Sequence, residues 1–211
     1  MLKIAVLVSG GGTNLQALID AEKAGKIPGG EIALVVSGNE KAFALERARK
    51  AGIPAAVLPR RGFASQAEYD AALLGLLEKS GAGLVVLAGF LTFVGPRVVE
   101  RYRNRILNVH PSLIPSFCGP GFYGLRVHEA ALRRGVKVTG ATVHFVNEVC
   151  DGGPIVLQKA VKVLPGDTPQ TLQKRVMEQA EWKILPEAVA LFCGNRLSIV
   201  DEQVLIREGS S

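Results

Sequence analysis

Apolar runs of strand length alternate with amphipathic segments of helix length in the first half of the chain. The runs are LKIAVLV (2–8), EIALVVS (31–37), AAVLP (55–59), GLVVLAG (83–89) and RILNVH (105–110). Continuous apolar runs indicate strands covered on both faces, and the segments between them predict helices over about 13–22, 41–52 and 66–80. Pro96 predicts the start of a short fourth helix. The rhythm predicts an α/β fold with a doubly wound, mostly parallel sheet.

The pattern changes after residue 135. VKVTGATVHFV (136–146) and PIVLQKAVKVL (154–164) predict two long strands joined by a short loop, and therefore an antiparallel addition to the sheet. A final helix is predicted from about 168 to 192, and LSIVDEQVLI predicts one or two edge strands. No linker divides the 211 residues, of which 48% are hydrophobic, so one domain over 1–211 is expected.

A net charge of +6 favours anionic partners. The basic residues are scattered and few aromatic residues lie among them, which argues against a nucleic-acid surface and fits a phosphorylated or carboxylated small molecule equally well. Cys118, Cys150 and Cys193 lie far apart, which argues against a zinc site and a disulfide framework and indicates a cytoplasmic protein. No signal peptide or membrane span is expected, because no apolar window is long enough.

Ligands bind at the carboxyl ends of the strands in such sheets. Three stretches of unusual composition, SGGGTN, AGFLTFVGP and NVHPSLIP, follow predicted strands there. The loop NEVCDGGP is expected to join them, if the sixth strand runs antiparallel and its far end lies at the same edge.

SGGGTN follows the first strand and opens the first helix, which Thr13 or Asn14 is expected to cap. Its bare backbone N–H groups and the helix dipole suit a phosphate, although a merely tight turn also fits. Leu15 stands where GxGxxG needs its third glycine, and the second strand ends in Ser37-Gly38-Asn39, where a dinucleotide site needs an acidic residue. No GK[ST] follows either, so NAD and ATP sites are disfavoured.

Asn108 and His110 share one face of a strand end, and Pro111 forbids the strand to continue. Two strongly polar side chains there indicate a functional role. Asp151 fits a common Asp-Gly turn, but a carboxylate at that edge could also orient an imidazole and raise its pKa. A site with two histidines and one carboxylate would suit a metal, but no HxH or HxxxH pair exists, so no metal is expected.

At these residues the sequence resembles the formyltetrahydrofolate-dependent formyltransferases. SGGGTNLQAL, VVLAGFL, LNVHPSLIPSF, GATVHFV and DGGPIVLQ occur in the order of that family and cover about residues 2–193. The resemblance implies transfer of a formyl group from 10-formyltetrahydrofolate to the amino group of 5-phosphoribosylglycinamide, in purine synthesis. It also implies a nucleotide-binding half over about 1–104 and a catalytic, folate-binding half over about 105–195.

The resemblance further assigns roles to individual residues. It implies that Asn108, His110 and Asp151 are catalytic, with Thr142 and His144 supporting them. The residues that it implies for phosphoribosylglycinamide are Gly12, Thr13, Asn14 and Glu181. Those that it implies for the folate are Gln66, Leu91, Thr92, Phe93, Val94 and Asn108.

Two other functions remain open from the sequence. A non-catalytic nucleotide-binding module would explain the glycine loop and the sheet, but would leave Asn108, His110 and Asp151 without a purpose. A formyltetrahydrofolate hydrolase would use water in place of the amine. The dependence of deformylation on the amine separates all three.

Overall fold

The computed structural model describes residues 1–208, which contain nine strands and seven helices. The strands are β1 (Leu2–Val8), β2 (Gly30–Ser37), β3 (Ala55–Val57), β4 (Leu84–Leu87), β5 (Ile106–His110), β6 (Val138–Phe145), β7 (Ile155–Lys162), β8 (Leu197–Val200) and β9 (Gln203–Ile206). The helices are α1 (Thr13–Lys23), α2 (Phe43–Ala51), α3 (Gln66–Ser80), α4 (Pro96–Arg101), α5 (Leu125–Arg134), α6 (Pro169–Val176) and α7 (Trp182–Cys193). Whether Gly209-Ser210-Ser211 is native is a question outside the described residues.

Seven strands form one sheet in the order β3-β2-β1-β4-β5-β6-β7. The pairs from β3 to β5 are parallel, whereas β5 with β6 and β6 with β7 are antiparallel. The predicted fold class, a mostly parallel sheet with an antiparallel addition in the C-terminal half, is confirmed. The winding direction changes at β1, because β2 lies on one side of it and β4 on the other. Ligands bind at such a switch point.

Helices cover both faces of the sheet and divide the core in two. One core holds buried side chains of α1, α2, α6 and α7, and the other holds those of α3 and α4. Alternation along the strands sends Val6 and Leu107 into the first core and Leu7 and Ile106 into the second. We call these sides of the sheet the α7 face and the α3 face.

The C-terminal region differs from the expectation in two ways. β8 and β9 pair with each other in a separate two-stranded sheet rather than at an edge of the main one. Asp201 and Glu202 join them with φ values of 48° and 61°, the backbone of a tight hairpin turn that closes the two strands on each other. The final helix is divided by a π-helical turn over Met177–Glu181, between α6 and α7.

Helix ends follow local sequence signals in two cases. α3 has its predicted limits, and the Ser65 side chain accepts a hydrogen bond from the backbone N–H of Glu68. Gly52 ends α2 with a φ of 72°, a conformation that glycine adopts without strain. Within residues 1–208, every helix is too short or too polar to cross a membrane.

Candidate active site

The carboxyl end of β5 carries two polar side chains on one face of the sheet. Asn108 and His110 alternate with Leu107 and Val109, which are buried in the core of the α7 face. Asn108 and His110 therefore point to the α3 face. The strand ends at His110, and Pro111, which lacks a backbone N–H, follows directly.

Antiparallel pairing with β6 adds two more polar side chains to this face. His144 lies opposite Asn108, and Thr142 lies opposite His110. Asn108 Nδ2 donates to His144 Nε2 at 3.1 Å, and His144 Nδ1 donates to the carbonyl oxygen of Phe145 at 2.8 Å. Because an amide nitrogen only donates, a neutral His144 carries its proton on Nδ1 in this geometry, whereas a charged His144 carries a second proton on Nε2, which faces Asp151 Oδ1.

Thr142 fixes the chain that follows Pro111. Its hydroxyl donates to the carbonyl oxygen of Ser112 at 2.7 Å and accepts from the backbone N–H of Ile114 at 3.1 Å. Gln158 Nε2 on β7 also donates to it, at 3.0 Å. The segment that follows β5 is therefore held in place by side chains of β6 and β7.

Asp151 lies at the centre of the polar side chains on this face. Its Oδ2 lies 3.5 Å from His110 Nδ1, and its Oδ1 lies 3.6 Å from His144 Nε2 and 3.5 Å from Asn108 Nδ2. The backbone N–H of Gly119 donates to Oδ2 at 2.8 Å. The side chain is only 10% exposed, so these groups largely replace water around the carboxylate.

The loop that carries Asp151 does not arrive by the route expected from the sequence, which placed the far end of the sixth strand at the carboxyl edge. Phe145, the last residue of β6, lies opposite Leu107, so β6 runs away from that edge. The loop instead brings Asp151 back to the α3 face, with a φ of 54° at Asp151. A Cβ at Gly153 would overlap the carbonyl oxygen of Phe145, so this return requires glycine.

The pKa values of His110 and Asp151 move in the same direction for different reasons. Burial lowers the pKa of His110 more than Asp151 and the Phe117 carbonyl raise it, so the increase expected from Asp151 is outweighed. Burial raises the pKa of Asp151, but hydrogen bonding to His144, the charge of His110 and the Gly119 N–H together outweigh burial, so the pKa of Asp151 is lowered. Asp151 is therefore ionised at neutral pH.

Sequence reasoning missed two backbone groups of the loop after β5. The carbonyl oxygen of Phe117 lies 2.9 Å from His110 Nε2, and Gly119 supplies the N–H that binds Asp151. Since a carbonyl only accepts, Nε2 carries a proton in this arrangement. Phe117 has a φ of 50°, which is uncommon for a residue other than glycine. No side-chain pattern in the sequence predicts such backbone contacts.

The glycine loop begins α1 in a way that corrects the expected helix cap. Gly12, rather than Thr13 or Asn14, is the N-cap, and its φ is 70°. A Cβ there would lie 2.6 Å from the Cβ of Ala44, so both backbone angle and space require glycine. Thr13 instead contacts the sulfur of Met177 at 3.7 Å, and Asn14 is buried.

Glu181 lies at the end of the π-helical turn and is buried against the start of α1. Asn14 Nδ2 donates to Glu181 Oε2 at 2.7 Å across 167 positions of sequence. Burial raises the pKa of Glu181 to about 7, and the bond from Asn14 opposes that shift only in part. The structure thus brings together Gly12, Thr13, Asn14 and Glu181 on the α7 face.

The loop after β4 presents apolar side chains and fixed backbone. Leu91 and Phe93 are 65% and 67% exposed, whereas Val94 is buried and Thr92 is half-buried. The backbone N–H of Leu91 donates to Ser9 Oγ at 2.9 Å. We call residues 91–94 the donor loop, after the formyl donor that the sequence resemblance implies for it.

Gln66 uses its polar atoms within the protein. Its Nε2 donates to the carbonyl oxygen of Phe93 at 3.3 Å and to Asp70 Oδ1 at 2.7 Å, and its Oε1 accepts from Arg60 Nε at 3.1 Å. Asp70 also accepts from the backbone N–H of Gly95 at 3.2 Å. Gln66 therefore connects α3 to the donor loop through its hydrogen bonds.

The third histidine, His128 of α5, is completely buried, and burial lowers its pKa to about 4. Within the described residues, neither ring nitrogen has a hydrogen-bond partner. Among residues 1–208, no group of three or more His, Cys, Asp or Glu side chains is arranged to hold a metal ion.

The fold and this polar site define a family. The formyl transferase model matches residues 2–189, and the chain belongs to that family. The matched segment includes all seven strands of the main sheet, both the parallel strands and the antiparallel addition.

Within the family, relatives of one particular activity match nearly the full chain. A phosphoribosylglycinamide formyltransferase of Haemophilus influenzae is 42% identical over 95% of this chain and 92% of its own length. The enzyme of that name from Escherichia coli is 41% identical over 94% and 90%. A glycinamide ribonucleotide transformylase of Symbiobacterium toebii has a solved structure that superposes with a TM-score of 0.93, at 45% identity, over 99% of this chain and 95% of that one.

Proposed function

We propose that this chain is an enzyme that transfers the formyl group of 10-formyltetrahydrofolate to the amino group of 5-phosphoribosylglycinamide, in de novo purine biosynthesis. The observation that carries the proposal is the convergence of Asn108, His110 and Asp151 on one face of the sheet. Near-full-length similarity to enzymes named for this activity supports it.

The proposed catalytic step is attack of the amine on the formyl carbon, which places negative charge on the formyl oxygen. The proposed donors to this oxygen are the Asn108 amide and the Nδ1 edge of His110, whose contacts with Asp151 are long, at 3.5 Å each, whereas His110 Nε2 is occupied by the Phe117 carbonyl. Preorganised donors of this kind stabilise a tetrahedral oxyanion. Formation of that anion beside His110 favours the imidazolium and offsets the burial that lowers its pKa.

Asp151 and His110 together provide the proton transfers. The ionised Asp151 stabilises the charged form of His110, which then donates a proton to the leaving folate nitrogen. Asp151 takes up the proton lost by the attacking amine, directly or through water. Thr142 and His144 support the site by orienting the loop after β5 and the Asn108 amide. The reaction needs no metal in this scheme.

The two substrates approach on opposite faces of the sheet. Gly12, Thr13 and Asn14 supply backbone N–H groups at the start of α1, where a phosphate is favoured, and Glu181 borders the sugar. The pterin of the folate packs on the donor loop, on Leu91, Thr92, Phe93 and Val94, with Gln66 fixing that loop and Asn108 at the junction.

The remaining expectations are proposals of the same kind. Residues 1–211 form one formyltransferase domain, with the nucleotide-binding half over about 1–104 and the catalytic, folate-binding half over about 105–195. Cys118, Cys150 and Cys193 are free thiols, which fits a reducing cytoplasm. The partners are these two small molecules, with neither nucleic acid nor membrane involved.

The decisive experiment is an assay of 10-formyltetrahydrofolate deformylation with and without phosphoribosylglycinamide. Turnover only in the presence of the amine is the expected result. Equal turnover without the amine would identify a hydrolase, and binding of the nucleotide without turnover would identify a binding module.

A further inference from the structure

A fully buried carboxyl group, that of Asp70 on α3, has no part in the chemistry described above. Its side chain is 1% exposed, and its neighbours in the core of the α3 face, such as Tyr69 and Leu73, are apolar or aromatic. Among residues 1–208, Asp70 forms no ion pair. Burial of a carboxyl group is unfavourable unless hydrogen bonds replace water, so an apolar side chain would suit this core better. What Asp70 adds is a fixed hydrogen-bond acceptor.

One oxygen of Asp70 holds the second part of the donor loop. Asp70 Oδ1 accepts from the backbone N–H of Gly95, the residue after the loop, at 3.2 Å. It also accepts from Gln66 Nε2 at 2.7 Å, and that same nitrogen donates to the carbonyl oxygen of Phe93 at 3.3 Å. Asp70 therefore fixes the loop directly at Gly95 and through Gln66 at Phe93.

The other oxygen of Asp70 acts by close contact. Oδ2 has no hydrogen-bond partner among the described residues, and a Cβ on Gly95 would overlap it. The φ of Gly95 is −78°, an angle open to other residues, so the backbone conformation does not require glycine at this position. The approach of Asp70 does, and it allows the loop only one distance from α3.

The first part of the donor loop is held from a different element. Ser9, the residue after β1, accepts from the backbone N–H of Leu91 at 2.9 Å across 82 positions of sequence. Ser9 also begins the glycine loop, so this bond joins the two loops at the switch point beside β1.

The bound backbone groups of this segment belong to alternate residues. They are the N–H of Leu91, the carbonyl oxygen of Phe93 and the N–H of Gly95. In the described part of the chain, the N–H groups of Thr92 and Val94 between them donate to no protein acceptor. Side chains from α3 and from the end of β1 thus occupy one set of backbone groups and leave the other set for a ligand.

This inference rests on the proposed function, in which the pterin of the formyl donor packs on the donor loop. We propose that Asp70 and Ser9 are positioning residues for the formyl donor. They hold the segment at residues 91, 93 and 95 and thereby fix the backbone groups of residues 92 and 94 against the pterin. Neither side chain touches the substrate, and both act through the loop.

The first test is Asp70→Ala, measured by steady-state kinetics for both substrates and by calorimetric titration with the product tetrahydrofolate. The KM for 10-formyltetrahydrofolate and the Kd for tetrahydrofolate should each rise about 10-fold, the usual weight of one hydrogen bond to a charged group. The KM for phosphoribosylglycinamide should stay the same. The kcat should fall less than the KM of the donor rises, because Asn108 and His110 keep their own hydrogen bonds.

Three further variants separate the parts of this role. Asp70→Asn should restore most of the donor affinity, because its amide oxygen can accept both bonds while its nitrogen takes the place of the unpaired Oδ2. Gly95→Ala should weaken the donor as Asp70→Ala does, although it removes no polar group, and it decides the question even if Asp70→Ala does not fold. Ser9→Ala should raise the KM of the donor by roughly 3-fold, since it removes one neutral hydrogen bond.

Leu77→Ala is the matched control, because it removes another fully buried side chain of α3 that lies far along the helix from the donor loop. Its Tm should fall, and its KM for the donor should equal that of the unmodified enzyme. The inference is overturned if Leu77→Ala raises this KM as much as Asp70→Ala does, if Asp70→Asn is as impaired as Asp70→Ala, or if Gly95→Ala binds the donor normally. An equal rise of the KM for both substrates would also overturn it. Failure of the proposed function would appear separately, as absence of amine-dependent turnover and of tetrahydrofolate binding in the unmodified enzyme.

Discussion

Two carboxylates, the half-buried Asp151 on the α3 face and the buried Glu181 on the α7 face, have pKa values shifted in opposite directions. Asp151 is surrounded by two imidazoles, the Asn108 amide and the N–H of Gly119, and its pKa is lowered. Glu181 has one hydrogen-bond donor, Asn14, and its pKa is raised to about 7. Glu181 is the more deeply buried of the two, and Asp151 has more hydrogen-bond donors and the charge of His110 beside it, so burial and partners together produce the difference.

The comparison separates a carboxylate that its neighbours keep charged from one that burial keeps partly protonated at neutral pH. The donors around Asp151 keep a negative charge beside His110 before any substrate binds. Glu181, with a pKa of about 7, is partly protonated at neutral pH, and the proposed binding of phosphoribosylglycinamide beside it would favour loss of that proton if the substrate brings hydrogen-bond donors to the carboxyl group. Four variants test this contrast, from the largest expected effect to the smallest.

His110→Ala should lower kcat by about 10²–10⁴, the usual weight of one acid–base group. The reason is that both the oxyanion donor and the proton donor to the leaving nitrogen are lost. Steady-state kinetics, with circular dichroism to show that the variant is folded, measure the effect. Near-normal turnover would contradict the role proposed for His110.

Asp151→Asn should lower kcat by roughly 10²-fold, less than loss of His110, because His110 itself remains. It should also lower the pKa of His110 further, since Asp151 opposes the effect of burial. The activity that depends on the imidazolium then falls off at a lower pH. A pH profile of kcat/KM checks this, and an unchanged alkaline limb would exclude coupling between the two side chains.

Thr13→Asp should raise the KM for phosphoribosylglycinamide by about 10-fold or more, because a carboxylate at the start of α1 repels the phosphate. The KM for the folate should stay the same, since the donor loop lies on the other face. Thr13→Val, which keeps the shape without adding charge, is the control. Equal loss for both substrates would contradict the separation of the two faces.

Glu181→Gln should change the dependence of stability on pH. The folded protein holds the Glu181 proton up to a pKa of about 7, whereas the unfolded chain loses it near pH 4. The contribution of this proton is therefore complete below the unfolded pKa and is lost as pH rises through 7. In urea unfolding, the free energy of unfolding of the unmodified protein should fall between about pH 5 and 8 by roughly 2–3 kcal/mol more than that of the variant.

Glu187→Gln, which replaces an exposed glutamate of α7, is the matched control for this measurement. It should follow the pH dependence of the unmodified protein. If the free energy of unfolding depends on pH in the same way for the Glu181 variant and the unmodified protein, Glu181 is ionised at neutral pH. Its pKa would then not differ from that of Asp151 in the way described here.

Much of the fold could be read from local pattern. The limits of α3, the first two strands within a residue, and the end of β5 at His110 all follow from runs of apolar residues and from turn residues. The predictions from sequence were wrong where tertiary contacts override such local signals. Gly12 rather than Thr13 caps α1, because close approach of Ala44 requires glycine, and β8 and β9 pair with each other through a tight turn.

By itself the sequence determined the side on which polar groups stand, because alternation along a strand puts Asn108 and His110 on one face wherever the strand lies. Only the tertiary structure decided what surrounds them. The return of the loop to Asp151, the backbone groups of Phe117 and Gly119, and the burial of Glu181 against Asn14 depend on segments far apart in sequence. Hydrogen bonding and loss of water act through space, so the charge of each carboxylate was settled by folding.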